Sequence, residues 1–312
     1  MPTPPSASGY AKVILLGEHA VVYGQPALAA ALSLGVRAER VANDGALRVE
    51  VPAWSVTARP EDGTRLGEAL AAMAAVVERH AGEPPEGLLR VTFEVPIGAG
   101  LGSSAAMAVA LARVMRPEAG DAFVLEAAAA SERVFHGNPS GVDHTTSTVG
   151  GILRFTRGGD PPCEPLTALA PLPLLIAQME PGADTGEMVA GVRARLDREP
   201  EIVTQLLEWM GALTRHAESA LSHGDAPRLG ELMDLAHGAL VSLGVSTAAL
   251  DRGCHAARRA GAWGAKLTGA GGGGCLIVLA PEASQAAVAA ALEAEGAMRV
   301  LTTWAGAGRP ST

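Results

Sequence analysis

Two carboxylates define the chemistry open to this chain. Glu132 and Asp143 flank the turn His136-Gly137-Asn138-Pro139-Ser140-Gly141-Val142. Phosphoryl transfer needs a carboxylate to hold a divalent cation against the phosphates, and it gains from another beside the attacking hydroxyl. Taken singly, Glu132 reads better as a solvated helix residue and Asp143 as a turn residue. Lys12 is the one charge in the apolar stretch Ala11 to Leu16. A half-buried lysine either finds an acid, such as Asp143, or snorkels at a strand edge. Glu18 and His19 follow on a tight turn. A zinc site from Glu132, His136 and His144 lacks the tight ligand cluster such sites use.

Glycine supplies the second signal. The run Pro96-Ile97-Gly98-Ala99-Gly100-Leu101-Gly102-Ser103-Ser104-Ala105-Ala106 alternates glycine with small or apolar residues just before a helical stretch. Such backbone can turn successive N–H groups inward as an anion nest. The helix that follows aims its positive end at the same place. Polyphosphate suits that geometry, and Ser103 and Ser104 can cap the helix or offer a hydroxyl to Mg²⁺. A Walker A loop would need Gly-Lys-Ser/Thr, and a dinucleotide fingerprint would need G-x-G-x-x-G; neither is present. A second loop, Lys266-Leu267-Thr268-Gly269-Ala270-Gly271-Gly272-Gly273-Gly274-Cys275, lies between apolar strands. Ordering four consecutive glycines is entropically costly, which favours a ligand-adjacent role over a plain turn.

These residues need elements to position them. A buried strand is expected over Ala11 to Leu16, and a helix after Pro26 that Gly35 closes. Two or three strands should span 36–57, broken at Asn43-Asp44-Gly45. Helices are expected near 66–80, 103–115 and 122–135, with a strand over 89–95. The Gly- and Pro-rich stretch from Arg157 to Pro173 marks a domain boundary, dividing the chain into 1–165 and 166–312. Beyond it, strands are predicted at 174–179, 262–267, 275–279 and 298–304. Helices are predicted near 187–197, 201–222, 227–243, 247–260 and 282–295. The pattern is α+β.

The 312 residues include 48% hydrophobic and only 3% aromatic side chains, so the core must be built from small residues. A formal charge of -9 argues against nucleic acid or an anionic membrane as partner. No secretory leader or spanning segment is evident, and three cysteines lack metal spacing; a cytoplasmic protein is expected.

Taken in order, four segments resemble the motifs of the GHMP kinases. Gly9-Tyr10-Ala11-Lys12-Val13-Ile14-Leu15-Leu16-Gly17-Glu18-His19-Ala20-Val21-Val22-Tyr23-Gly24 is similar to the first motif, in the form found in mevalonate kinases. Pro96 to Ala106 resembles the phosphate-cradling second motif, and Lys266 to Cys275 the third. His136 to Asp143 resembles the Pro-Ser-Gly-hydrophobic-Asp segment that carries a catalytic aspartate. The resemblance implies a two-lobed fold: an N-terminal α/β domain with a left-handed βαβ unit and a C-terminal ferredoxin-like domain. It implies ATP and Mg²⁺, with Pro96, Gly98, Ala99, Gly100, Leu101, Gly102, Ser103 and Ser104 on the nucleotide, and Ser104 and Glu132 on the metal. Asp143 and Lys12 would be catalytic. Lys12, Glu18, His19, Asp143, Thr185 and Gly271 would line the acceptor, and Arg154 or Arg157 would meet its carboxylate. The implied reaction is phosphorylation of mevalonate in isoprenoid precursor synthesis, by an enzyme that in this family is often a homodimer. Other acceptors (phosphomevalonate, homoserine, a sugar) and a catalytically silent ligand sensor are the alternatives. A homoserine kinase would not be expected to carry Asp143, and a galactokinase should show its own sugar-binding motif.

Overall fold

A computed structural model describes residues 5–137 and 139–306. Asn138, part of the Asp143 motif, lies outside the described residues. The elements in chain order are β1 (Ser6–Leu16), β2 (Ala27–Ala46), β3 (Arg48–Val51), β4 (Val56–Ala58), α1 (Arg65–Ala81), β5 (Glu86–Phe93), α2 (Ser103–Met115), α3 (Asp121–His136) and α4 (Val142–Val149). There follow β6 (Ile152–Phe155), β7 (Cys163–Leu166), β8 (Leu172–Glu180), α5 (Thr185–Arg198), α6 (Pro200–His223), α7 (Ala226–Ser242), α8 (Ala248–Arg259), β9 (Gly264–Thr268), β10 (Gly274–Leu279), α9 (Glu282–Ala294) and β11 (Arg299–Ala305).

By their contacts these elements form two compact units that are not consecutive halves of the chain. One holds residues 1–12, 34–97 and 102–150, the other 13–33, 98–101 and 151–312. The chain was expected to divide once, within 157–173. Instead β1 and β2 each contribute to both units, so no single cut separates them.

In the first unit β5 pairs antiparallel with β2 and parallel with β3, and β4 closes the edge beside β3. The parallel pair is linked through α1, making a βαβ unit. Thr64 caps α1 by accepting the Gly67 N–H at 3.0 Å. Leu66, Leu70, Met73 and Val77 then recur at helical spacing and enter a shared core with α2 and α3. α2 is alanine-rich and buried almost throughout, because small side chains let it lie tightly against its neighbours. Gly9 shows how tightly: a Cβ there would sit 2.1 Å from the Ala106 carbonyl oxygen.

In the second unit β9, β10, β8 and β11 form an antiparallel sheet in that order. In order of appearance (β8, β9, β10, β11) the strands lie 4-1-3-2, with helices after the first and third, which is the ferredoxin-like arrangement. Its core gathers α7, α8 and α9 residues over the sheet.

The helix expected after Pro26 is a strand. Ala27, Leu28, Ala29 and Ala30 pair with Phe155, Arg154, Leu153 and Ile152 of β6 and are completely buried. A short continuous apolar run fits a strand covered on both faces as well as a helix, and pairing decides. Gly35 stops nothing; it lets β2 pass where a Cβ would strike the Gly9 carbonyl oxygen at 2.1 Å. Nor does Asn43-Asp44-Gly45 end β2, which absorbs it through irregular register before Ala46.

Candidate active site

In the first unit the charged groups converge. Lys12 lies in β1, and its ammonium is 3.2 Å from Asp143 Oδ1. Lys12 is buried, whereas the Asp143 side chain keeps 34% of its exposure, enough to meet a substrate. Asp143 sits in the first turn of α4, opened by Gly141 at φ 96°. No element had been expected there, since a run of Asp, His, Thr and Ser disfavours helix by propensity alone. Thr146 and Thr148 turn their hydroxyls back onto the carbonyls of Val142 and His144, each at 2.7 Å, and α4 packs on α2 and α3.

Gly102 is the residue that allows this arrangement. It takes φ 67°, and a Cβ would lie 2.9 Å from Lys12 Cγ and 3.2 Å from Lys12 Cε. The lysine stem thus runs beneath the start of α2, in space that only glycine leaves. Ser104, in the first turn of that helix, has its hydroxyl 3.5 Å from His136 Nε2. Glu132, on α3, is buried, and its Oε2 is 3.8 Å from the same His136 nitrogen. Burial, reinforced by the Asp143 charge, pushes the Glu132 carboxyl up to about 7, against hydrogen bonding from Ser104 and the Lys12 charge. Glu132 Oε1 is buried with no hydrogen-bond partner among the described residues.

The second unit holds residues 98–101 of the first glycine loop, the whole of the loop after β9 and the Glu18–His19 turn. Gly98 and Gly100 take φ 73° and 79°. Gly100 lies against Thr268 and Gly269. Gly271 is buried at φ 81°, where a Cβ would strike the Val245 carbonyl oxygen at 2.1 Å; Gly272 donates to that oxygen at 2.8 Å. Gly272 also faces Ala183 and Met188, which flank Thr185 at the exposed start of α5. His19 takes φ 59° and ψ -49°, and the Ala20 N–H reaches the Glu18 carbonyl at 2.6 Å. This is a tight γ-turn of the rare positive-φ form. The His19 ring Nε2 bonds the Ala270 carbonyl oxygen at 2.8 Å, and burial holds the ring's pKa below its ordinary value.

Sequence reasoning had passed over Lys266 as a charge. It is wholly buried and ion-paired with Glu18. Burial pushes its ammonium below the ordinary lysine range, against the pull of Glu18. The logic applied to Lys12, that a lone charge in an apolar strand needs an acid, would have found this pair too. One Glu18 carboxylate oxygen, Oε1, is therefore engaged by Lys266. Arg154 is engaged by Glu164 and Glu218, and Arg157 lies exposed after β6.

Family models match both parts of the chain: the GHMP kinases N terminal domain over residues 68–151 and the GHMP kinases C terminal over 217–297. Mevalonate kinase of Thermococcus sibiricus is 38% identical over 320 residues, spanning 95% of each chain. That of Pyrococcus horikoshii is 39% identical, spanning 95% of this chain and 94% of its own. The chain belongs to the GHMP kinases. Among solved structures, L. major mevalonate kinase in complex with R-mevalonate aligns with TM-score 0.82 at 28% identity, covering 99% of this chain and 97% of that one. The Methanococcus jannaschii mevalonate kinase aligns at TM-score 0.84 and 23% identity, a likeness of fold. As a GHMP kinase the protein is a phosphotransferase. No helix of the described residues is long and apolar enough to cross a membrane.

Proposed function

We propose that the protein transfers the γ-phosphoryl group of ATP to the primary hydroxyl of mevalonate. The observation that carries this reading is the Lys12–Asp143 pair: a partly exposed carboxylate locked at 3.2 Å by a buried ammonium. Relatives named mevalonate kinase over nearly the whole chain support the acceptor.

In this reading Asp143 accepts a hydrogen bond from the attacking hydroxyl and takes its proton late, since the transition state is loose. Lys12 keeps the carboxylate pointed at the hydroxyl and counters the charge developing there. Backbone N–H groups of residues 98–102 and the start of α2 hold phosphate oxygens. Mg²⁺ fits Ser104 and Glu132, because the orphaned Glu132 oxygen and its raised pKa both call for a cation. Among the described residues no cluster of three His, Cys, Asp or Glu could hold a metal ion. When bound, Mg²⁺ supplies charge neutralisation at the phosphates. Three free thiols, Cys163, Cys254 and Cys275, suit a reducing cytosol.

A coupled ADP-release assay on the purified chain with mevalonate, phosphomevalonate, homoserine and galactose tests the reading. Turnover with mevalonate well above the other three is expected. Preference for another acceptor, or ATP binding without turnover, would overturn it.

A further inference from the structure

β9 ends the strand order of its sheet, so among the described residues no further strand meets its outward N–H groups. Buried backbone donors need acceptors, and α7 supplies them. Asp234 accepts the Ala265 N–H at 2.8 Å, and one turn later His237 Nδ1 accepts the Leu267 N–H at 3.3 Å. α8 braces both side chains. Arg258 donates to Asp234 at 3.0 Å, and Asp251 Oδ1 lies 3.1 Å from His237 Nε2.

His237 can make both bonds in one protonation state only. An amide N–H donates and cannot accept, so Nδ1 must be a lone pair; the carboxylate oxygen accepts, so Nε2 must carry the hydrogen. A second proton would sit on Nδ1 and set two donors against each other at a wholly buried strand. Burial holds the ring's pKa below its ordinary 6.5. Among the described residues Asp251 favours the proton, whereas Lys266 of β9 and Arg258 of α8 oppose it. Lys266 is itself paired with Glu18 and Arg258 with Asp234, and the Cys254 thiol of α8, pushed up by burial, adds no charge. The unfolded chain takes up this proton more readily than the folded one. The ring's contribution to stability is therefore complete above about pH 6.5 and is lost as pH falls below it.

The same ring is joined to the loop that follows the strand. Asp251 Oδ1 also accepts the Ser246 hydroxyl at 2.6 Å, in the turn between α7 and α8. The carbonyl of the neighbouring Val245 accepts the Gly272 N–H at 2.8 Å. Leu267 and Gly272 stand on either side of Thr268-Gly269-Ala270-Gly271. One continuous set of contacts thus starts just before the glycine loop and returns to it. Gly269 and Gly271 to Gly274 all take positive φ and bring no side chains to hold the loop, so contacts from outside fix its frame.

We infer that His237 is a pH-sensitive brace for the glycine loop after β9. In its neutral Nε2–H form it ties Leu267 to Asp251 and, through the 245–246 turn, to Gly272. A proton taken up from solvent at Nδ1 breaks the tie to Leu267 and loosens the loop. The inference rests on the second unit alone and holds whichever alcohol the enzyme phosphorylates.

The test compares the full chain as wild type and His237→Gln. Glutamine offers an oxygen to Leu267 and an N–H to Asp251 but does not titrate. ¹⁵N-histidine spectra, with the His237 signals identified by their loss in the variant, give the tautomer and the midpoint of ring protonation. Hydrogen exchange of peptides spanning 264–274, corrected for the intrinsic pH dependence of exchange, is followed from about pH 8 to about pH 5, with circular dichroism as the check on folding. In the wild type we expect an Nε2–H ring at the upper end. Protection of the segment should fall roughly tenfold or more as the ring takes its proton, in a chain that is still folded. The variant should show no such step. Should the variant not fold, the wild type still decides, by whether the loss of protection tracks the ring's titration. An Nδ1–H ring, a ring that stays neutral until the whole chain unfolds, protection that ignores the ring's state, or an equal step in the variant would overturn the brace.

Discussion

The two units hold their buried charges differently. In the first, Glu132 is buried, orphaned at one oxygen and pushed up to about 7, and Asp143 stands partly open with a single ammonium for company. In the second, Lys266 is deeper still, yet three acceptors meet it, and the turn it holds is tied down again through His19. The first arrangement has unmet electrostatic demand, which a metal-bound polyphosphate would satisfy. The second already holds its ammonium with acceptors from the chain itself. Catalytic groups must be ready to gain partners during the reaction, whereas groups that fix geometry are held by bonds already made.

Substitutions can break that contrast at several points. The largest effect should come from Asp143→Asn, which removes the carboxylate proposed to take the hydroxyl proton. We expect kcat to fall about 10²- to 10⁴-fold with nucleotide binding largely kept, read by steady-state kinetics and a nucleotide titration. Wild-type turnover would remove Asp143 from the chemistry.

Next comes the second unit. Lys266→Met alone should destabilise the protein by about 3–5 kcal/mol in denaturant unfolding, because a buried carboxylate loses its ammonium; adding Glu18→Gln should restore most of that loss. If the double variant were no more stable than the single, the ion pair would not be what is being disturbed.

Glu132→Gln tests the unsatisfied unit. With its folded pKa near 7 and its unfolded value near 4.5, Glu132 holds a proton in the folded state that the unfolded chain releases. Its contribution is therefore fully present below about pH 4.5 and lost as pH rises through about 7, so the metal-free enzyme weakens over that window. Glu132→Gln should flatten this dependence and stabilise the metal-free protein at pH 8 by up to about 3 kcal/mol, while raising the Mg²⁺ needed for half-maximal activity. Parallel pH–stability curves for the two proteins would count against the buried-acid account.

Smallest in stability should be Gly102→Ala. A left-handed backbone costs a non-glycine residue about 1–2 kcal/mol, and the new methyl presses on the flexible Lys12 stem. A modest fall in Tm with a larger fall in kcat would show that the glycine serves Lys12 as well as the loop; a change in Tm alone would confine it to the backbone.

Much of this was legible beforehand because local rules govern it. Helices α1, α3 and α6 to α9 announce themselves by their apolar spacing. The glycine runs mark two tight loops through composition alone. Three things escaped. The strand over Ala27 to Leu32 looks like a helix because alanine and leucine carry no period when buried on every side. α4 is hidden by its threonines, whose helix depends on packing against α2 and α3. Lys266 reads as the first letter of a glycine motif, although its isolation in an apolar strand is the same signal that makes Lys12 conspicuous.

The sequence by itself determined which groups could do chemistry here: an acid pair around a turn, a lysine in a strand, and two glycine loops with a serine-capped helix. Their types and order follow from the covalent needs of phosphoryl transfer. Only the tertiary structure decided how the charges pair, with Lys12 on Asp143 and Lys266 on Glu18. Each ion pair joins residues more than a hundred positions apart, and such choices depend on which buried surfaces meet and which donors lose water when they do.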